Sequence, residues 1–392
     1  MDLEDLSQEG HRRLSTSADR SEGHADLDDP SHEGRDQLSM RAERSGGNVG
    51  EDRVSSRRRA YRDQRPMDVG GGVWSVPVPI PGNPLGYTLV YAIESPGGPV
   101  LVDAGWNHPD AWLALTDGLA AVGMDVADVR GVVVTHYHPD HSGLAGQVRE
   151  RSGAWIAMHE ADIALVKLFR DVVTDGTHKD FQSDMLRRAG ADSHEVAEAV
   201  AMRPEPPALP DLALTDRDLI DLPGRRLRTI WTPGHSPGHI CLHLEDADRL
   251  FTGDHVLPDI TPHIGIYPYD RSDVDPLGDF MTSLERVREF GPIEALPAHE
   301  ARFADVSSRA AEICSHHEEK LEHLRALMAA DPQPRTIWEL AARMTWNRPW
   351  DQLPAMLRGM AAGEAAAHLR TLEVRDVIER TADAPVRFVI HS

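Results

Sequence analysis

The chain has 392 residues, enough to bury a large core and to hold more than one domain. Its 41 Lys and Arg stand against 64 Asp and Glu, a formal net charge of −23 that repels nucleic-acid phosphates and anionic membranes unless a local basic patch overrides it. Two cysteines, Cys241 and Cys314, exclude a disulfide framework, and no apolar run reaches the roughly 18 residues that a membrane span requires. The start of the chain lacks the apolar stretch of a secretory leader, so a cytoplasmic protein is expected.

Residues 1–66 are rich in Asp, Glu, Arg, Ser and Gly, with Tyr61 as their single aromatic, and are expected to form a disordered tail. From Val73 the texture changes. Strands are expected at 74–79, 87–93, 100–102, 131–135 and 154–158, with helices at 109–122 and 160–169. The stretch 176–210 is less regular: a helical run at 193–202 precedes a Pro-rich piece, and the whole reads either as a substrate wall or as a surface excursion. Strands follow at 227–231, 240–244 and 249–252, then a helix at 276–289 and a short buried strand at 295–297. Strands alternating with helices and hairpins indicate a layered α/β domain over 67–304.

Residues 305–392 read as a separate module. A helix is expected at 307–330, and Thr336 with Glu339 three residues on forms a capping box for a helix running to about 344. One or two helices over 354–372 and a hairpin made by 377–379 and 386–390 complete a small winged-helix-like unit.

The chemistry concentrates in Val132-Val133-Val134-Thr135-His136-Tyr137-His138-Pro139-Asp140-His141-Ser142-Gly143. An apolar strand ends, and four strong ligands for zinc, iron or manganese follow at once. His136 and His138 point the same way in extended backbone, whereas Asp140 and His141 open a turn and can serve a second position nearby. A lone histidine is ordinarily structural; this run has almost no structural rationale, because it crowds polar groups together. Four ligands cannot close two metal sites. Further donors stand just after other strands: His235 in Thr232-Pro233-Gly234-His235, Asp254 after Gly253, and His299 in Leu296-Pro297-Ala298-His299. His159, His239, His243, His255 and His263 remain; His239 and His255 stand beside ligands and could touch substrate, with a hydrogen-bonding or packing role at least as good a reading. The segment 257–269, rich in Pro, His and Tyr, follows Asp254 and is a candidate pocket wall.

These motifs, in this order over about residues 70–300, strongly resemble the metallo-β-lactamase-fold hydrolases. The resemblance implies a four-layered αββα sandwich with two divalent metals at one sheet edge. It implies His136, His138 and His235 as ligands of the first metal, and Asp140, His141 and His299 as ligands of the second, with Asp254 bridging. Leu101-Val102-Asp103-Ala104-Gly105 is similar to the family's first motif, where Asp103 would orient a ligand histidine; turn formation before Gly105 is the alternative. The pair Gly253-Asp254 resembles the glyoxalase II-like and nuclease branches, and no cysteine occupies a ligand position.

The expected activity is therefore a metal-bridged hydroxide attacking a small acyl thioester or ester, with zinc favoured over iron or manganese and Asp140 passing the nucleophile's proton. The alternatives are an endoribonuclease, which the winged-helix-like tail favours by its similarity to lactamase-like protein 2, a single-iron sulfur dioxygenase-like oxidoreductase, and a non-catalytic binding protein. Against nucleic acid stand the net charge of −23 and a tail whose Arg343, Arg348, Arg358, Arg370 and Arg375 are diluted by acids and alanine. A small-molecule substrate and no membrane partner complete the expectation, with the tail either packing against the catalytic domain to shape its mouth or forming a homodimer.

Overall fold

The structure is a computed structural model that describes residues 64–199, 205–266 and 274–391. The expected tail thus lies, up to residue 63, outside the described residues.

One sheet has seven strands in sequence order: β1 (Met67–Gly70), β2 (Val73–Pro79), β3 (Tyr87–Ile93), β4 (Val100–Val102), β5 (Gly131–Val133), β6 (Trp155–His159) and β7 (Leu212–Leu214). Pairing is antiparallel through β4 and parallel from β4 to β7. The second sheet takes β8 (Leu219–Ile220), β9 (Leu227–Trp231), β10 (Ile240–Leu244), β11 (Arg249–Gly253) and β12 (Glu294–Pro297), with β11 and β12 parallel and the rest antiparallel.

Side-chain alternation sorts each strand between two cores. Tyr91, Ile93, Val102 and Val133 of the first sheet meet Leu227, Leu242, Phe251 and Leu296 of the second in a core between the sheets. Their neighbours Val90, Ala92, Leu101 and Val132 face outward, into a second core. There they meet α1 (Pro109–Ala121) through Leu115 and Leu119, and α3 (Ala145–Ser152) through Val148. A short helix, α2 (Pro139–Ser142), lies between these two in sequence, and α4 (Glu160–Thr174) follows β6, adding Val166 to the same core. The outward residues of the second sheet, Ile230, Cys241, Leu250 and Ala295, sit in a third core. The result is helix, sheet, sheet, helix, as expected from the resemblance.

The irregular stretch is more helical than its sequence suggests, with α5 (His178–Ala189) unforeseen and α6 (Ser193–Ala199) inside the expected run; residues 200–204 lie outside the described residues. Next come α7 (Pro276–Arg288), α8 (Val306–Ala330), α9 (Ile337–Ala341) and α10 (Ala355–Val374). The last is a single helix. The capping box forms as expected, with Thr336 accepting from the Glu339 N–H at 3.1 Å and Glu339 accepting from the Thr336 N–H at 2.8 Å. The C-terminal hairpin, β14 (Ile378–Asp383) and β15 (Val386–Ile390), gains a third strand, β13 (Arg335–Thr336). The third core runs unbroken across residue 305: Leu284 of α7, Ile313 and Leu324 of α8, Leu340 of α9 and Leu369 of α10 belong to it together with the second sheet.

Candidate metal centre

Every candidate ligand follows the C-terminal end of a strand. β4 and β5 are parallel in one sheet; β9 and β11 both run antiparallel to β10, and β12 is parallel to β11. Their C-terminal ends are joined across the sheets by Ile240 N–H donating to the Thr135 carbonyl at 2.9 Å and Leu89 N–H to the Ala298 carbonyl at 2.7 Å. Topology thus gathers Asp103, His136, His235, Asp254 and His299 from five separate strand ends.

Three imidazole nitrogens converge first. His136 Nε2 lies 2.9 Å from His138 Nδ1, and His235 Nε2 lies 3.2 Å and 3.0 Å from those two atoms. Tetrahedral zinc with nitrogen ligands has nitrogens about 3.3 Å apart, so this spacing is close to what such an ion requires. Burial, with the neighbouring imidazoles adding to it, pushes His136 well below the usual histidine range and His138 down to about 3, and burial lowers His235 too. All three are therefore neutral and have lone pairs to offer.

Asp140, His141 and His299 form a second cluster, and Asp254 stands between the two. Its Oδ1 is 3.5 Å from His141 Nε2 and 3.3 Å from His299 Nε2, while its Oδ2 is 3.5 Å from His235 Nε2. Asp140 Oδ2 is 3.3 Å from His299 Nε2 and 3.7 Å from His141 Nε2. Burial alone would raise both carboxyl pKa values, but the charge on His141 and His299 outweighs it, holding Asp140 at about 2 and Asp254 well below its ordinary value. The histidines respond in kind: burial opposes their protonation, yet Asp254 and Asp140 raise His299 to about 10 and His141 well above the ordinary range. Positive charge is thus demanded at this spot. His141 Nε2, His299 Nε2 and Asp254 Oδ1 are buried without hydrogen-bond partners, as ligand atoms awaiting a cation would be. The donor set, imidazole with carboxylate, fits zinc, iron or manganese.

Each of three rings is aimed by its other nitrogen. His141 Nδ1 donates to Asp103 Oδ2 at 2.8 Å, His235 Nδ1 to the His263 carbonyl at 2.8 Å, and His299 Nδ1 to the Tyr87 carbonyl at 2.9 Å. Asp103 also accepts from the Thr135 N–H at 2.7 Å and holds a left-handed backbone at φ 61°, so it both turns the chain and orients a ligand. His239 is fully buried and accepts from the Asp254 N–H at 3.2 Å; it supports a ligand. His255 packs edge-on against Phe280, His159 stacks on Trp231, and His243 meets Phe290. Of the candidate wall, residues 257–266 are described: Asp259 and Ile260 N–H donate to Glu300, and His263 Nε2 donates to the Met360 carbonyl of α10 at 3.0 Å. Residues 267–269 lie outside the described residues. Sequence motifs pointed to none of Tyr87, Thr135 and the His263 carbonyl, because all three make these contacts through backbone atoms.

An αββα sandwich with these His/Asp clusters at one sheet edge carries the donor set typical of a binuclear metal site. The chain belongs to the metallo-beta-lactamase superfamily, whose family model matches residues 83–297. It is 25% identical over 315 residues to the probable metallo-hydrolase YqjP of Bacillus subtilis, covering 78% of this chain and 93% of that one. Identity is 26% over 251 residues to the lactamase-like protein adaB of Aspergillus niger, covering 63% of this chain and 62% of that protein, under two thirds of its length. An atrochrysone carboxyl ACP thioesterase of Aspergillus fumigatus is 24% identical over 261 residues, 65% of this chain and 66% of its own. The crystal structure of a metallo-beta-lactamase family protein from Thermus thermophilus is similar with a TM-score of 0.69 and 32% identity, covering 83% of this chain and all of that one. Among the described residues no helix is long and apolar enough to cross a membrane.

Proposed function

We propose that this chain is a two-metal hydrolase of a small acyl thioester or ester. The observation that carries the reading is the position of Asp254, whose two oxygens face the two ligand clusters from between them. The name of the Bacillus subtilis relative supports hydrolysis, and that of the Aspergillus fumigatus thioesterase supports the acyl substrate. His136, His138 and His235 would hold one divalent ion, zinc by preference, and Asp140, His141 and His299 the other, with Asp254 shared. When bound, such a pair supplies a water with a pKa near 7 and a Lewis acid for the acyl oxygen.

The chain's own residues do the rest. Burial keeps His136, His138 and His235 unprotonated, so no proton competes for their lone pairs. Asp103 fixes the His141 tautomer by accepting its Nδ1 proton. Asp140 stays ionised at neutral pH and is the carboxylate with the most exposure among the ligands, its side chain 14% accessible, so it can accept the nucleophile's proton and release it to the leaving group.

The C-terminal region, read from sequence as winged-helix-like, serves in this proposal as scaffold. The Met360 and Gly363 carbonyls of α10 accept from His263 Nε2 and Ile266 N–H, at 3.0 Å and 3.1 Å, and so brace the segment that holds His235. Its partner is accordingly a small molecule, with nucleic acid disfavoured by the net charge of −23. A panel of acyl thioesters and esters assayed beside single-stranded RNA, with and without EDTA, tests the reading. Thioester turnover abolished by EDTA supports it; RNA cleavage without thioester turnover contradicts it.

A further inference from the structure

Asp162 sits in the first turn of α4, is fully buried, and is absent from both clusters of converging ligand atoms. Three hydrogen bonds that its carboxylate accepts come from the two loops carrying the three-histidine cluster. Oδ2 accepts from the Tyr137 N–H at 2.9 Å and from Ser236 Oγ at 2.8 Å; Oδ1 accepts from the Gly238 N–H at 2.6 Å. Tyr137 lies between His136 and His138, and Ser236 follows His235. One carboxylate therefore clasps both loops whose nitrogens must meet. The approach depends on Gly238, where a Cβ would fall 2.4 Å from the Asp162 backbone nitrogen and 2.7 Å from its Cγ.

A buried carboxylate is costly unless charge-assisted hydrogen bonds offset its desolvation, and a packing role would be filled at less cost by an apolar side chain. The loops that it joins come from different sheets: the His136 loop follows β5, the His235 loop β9. Asp103 performs a parallel task elsewhere, holding Thr135 and His141.

We propose that Asp162 is a positioning residue for the three-histidine site: it sets the distance between the His136–His138 loop and His235, and thereby the metal affinity of that site in particular. The inference rests on the two-metal reading above. Asp162→Asn retains the size but presents an NH2 where one of the acceptors stood, so one loop loses its hold.

The test is Co2+ titration of the metal-free full chain, followed by visible absorption and chelator competition, in wild type and in a His299→Ala background that cripples the other site. Asp162→Asn is expected to weaken the three-histidine site about 10–100-fold and to alter its Co2+ spectrum, while the other site keeps its affinity. Ser236→Ala, which removes one of the three bonds, is expected to weaken the same site less. Wild-type affinity and spectrum in Asp162→Asn would overturn the inference alone, as would equal weakening of both sites, which marks a general structural role. Should Asp162→Asn fail to fold, Ser236→Ala decides, since an unchanged three-histidine site in that variant overturns the inference equally. A wild-type chain that binds fewer than two Co2+ overturns the two-metal reading itself, and the inference with it.

Discussion

Asp140 and Asp103 are both carboxylates at the second cluster, yet their surroundings give them different work. Asp140 faces His141 and His299 with part of its side chain accessible, whereas Asp103 is buried and spends its oxygens on Thr135 and His141. Asp140→Asn should therefore lower kcat about 10²–10⁴-fold at saturating metal, the usual range for a lost proton-transfer group; an unchanged rate in steady-state kinetics would remove Asp140 from proton transfer. Asp103→Asn should instead weaken metal at the second cluster about 10–100-fold, read by chelator competition. The ligand-type side chains were legible in the sequence because each follows an apolar strand and four of them lie within six positions of one another. Asp162 was not. Nothing near it in sequence marks it, and its partners lie 25 to 76 positions away. The His263 carbonyl was equally hidden, since side-chain motifs carry no information on which backbone oxygen meets a ligand.

Among the elements, buried apolar runs gave the right strands, and β3, β4, β9 and β10 fall where their hydrophobic stretches place them. The short strands β7 and β8 were missed, because only Leu214 and Ile220 in them are buried and no buried apolar run marks them; their pairing with β6 and β9 defines them. Helix α5 was missed for a different reason: its sequence is mostly charged and polar, with Leu186 and Ala189 among its few buried residues. The capping box at Thr336 was legible because its two partners are local. Thr336→Ala should cost about 1 kcal/mol, seen as a lower denaturant midpoint with unchanged slope; an unchanged midpoint would show that the cap contributes nothing. Gly234 shows the tertiary counterpart. It holds φ 134°, and a Cβ there would lie 2.4–2.6 Å from Phe280. Gly234→Ala should accordingly displace the neighbouring His235 and lower metal affinity by equilibrium titration, and retention of wild-type affinity would contradict that.

Over the whole molecule, sequence texture changes near residue 305 and suggests an independent module, but the third core crosses that point without a break. Buried within it, His317 Nδ1 and His368 Nε2 lie 3.3 Å apart between α8 and α10. Burial lowers both, His317 to about 3 and His368 to about 4. The unfolded chain, with histidines near 6.5, binds protons that the folded chain refuses, so stability is fully present above about 6.5 and falls as pH drops toward 4. A loss on the order of 3 kcal/mol per histidine over that window should appear in denaturant melts, and should shrink in a His317→Leu/His368→Leu double variant. A slope that the double variant leaves intact would place the acid sensitivity elsewhere. The central claim, however, concerns the sheet edge where seven side chains from both sheets converge. Metal content per folded chain, measured by mass spectrometry after purification and again after EDTA dialysis and reloading, tests it most directly. The account predicts two divalent ions per chain, and one or none in His235→Ala or His299→Ala; a folded wild-type chain that retains no more than one ion under saturating metal would contradict it.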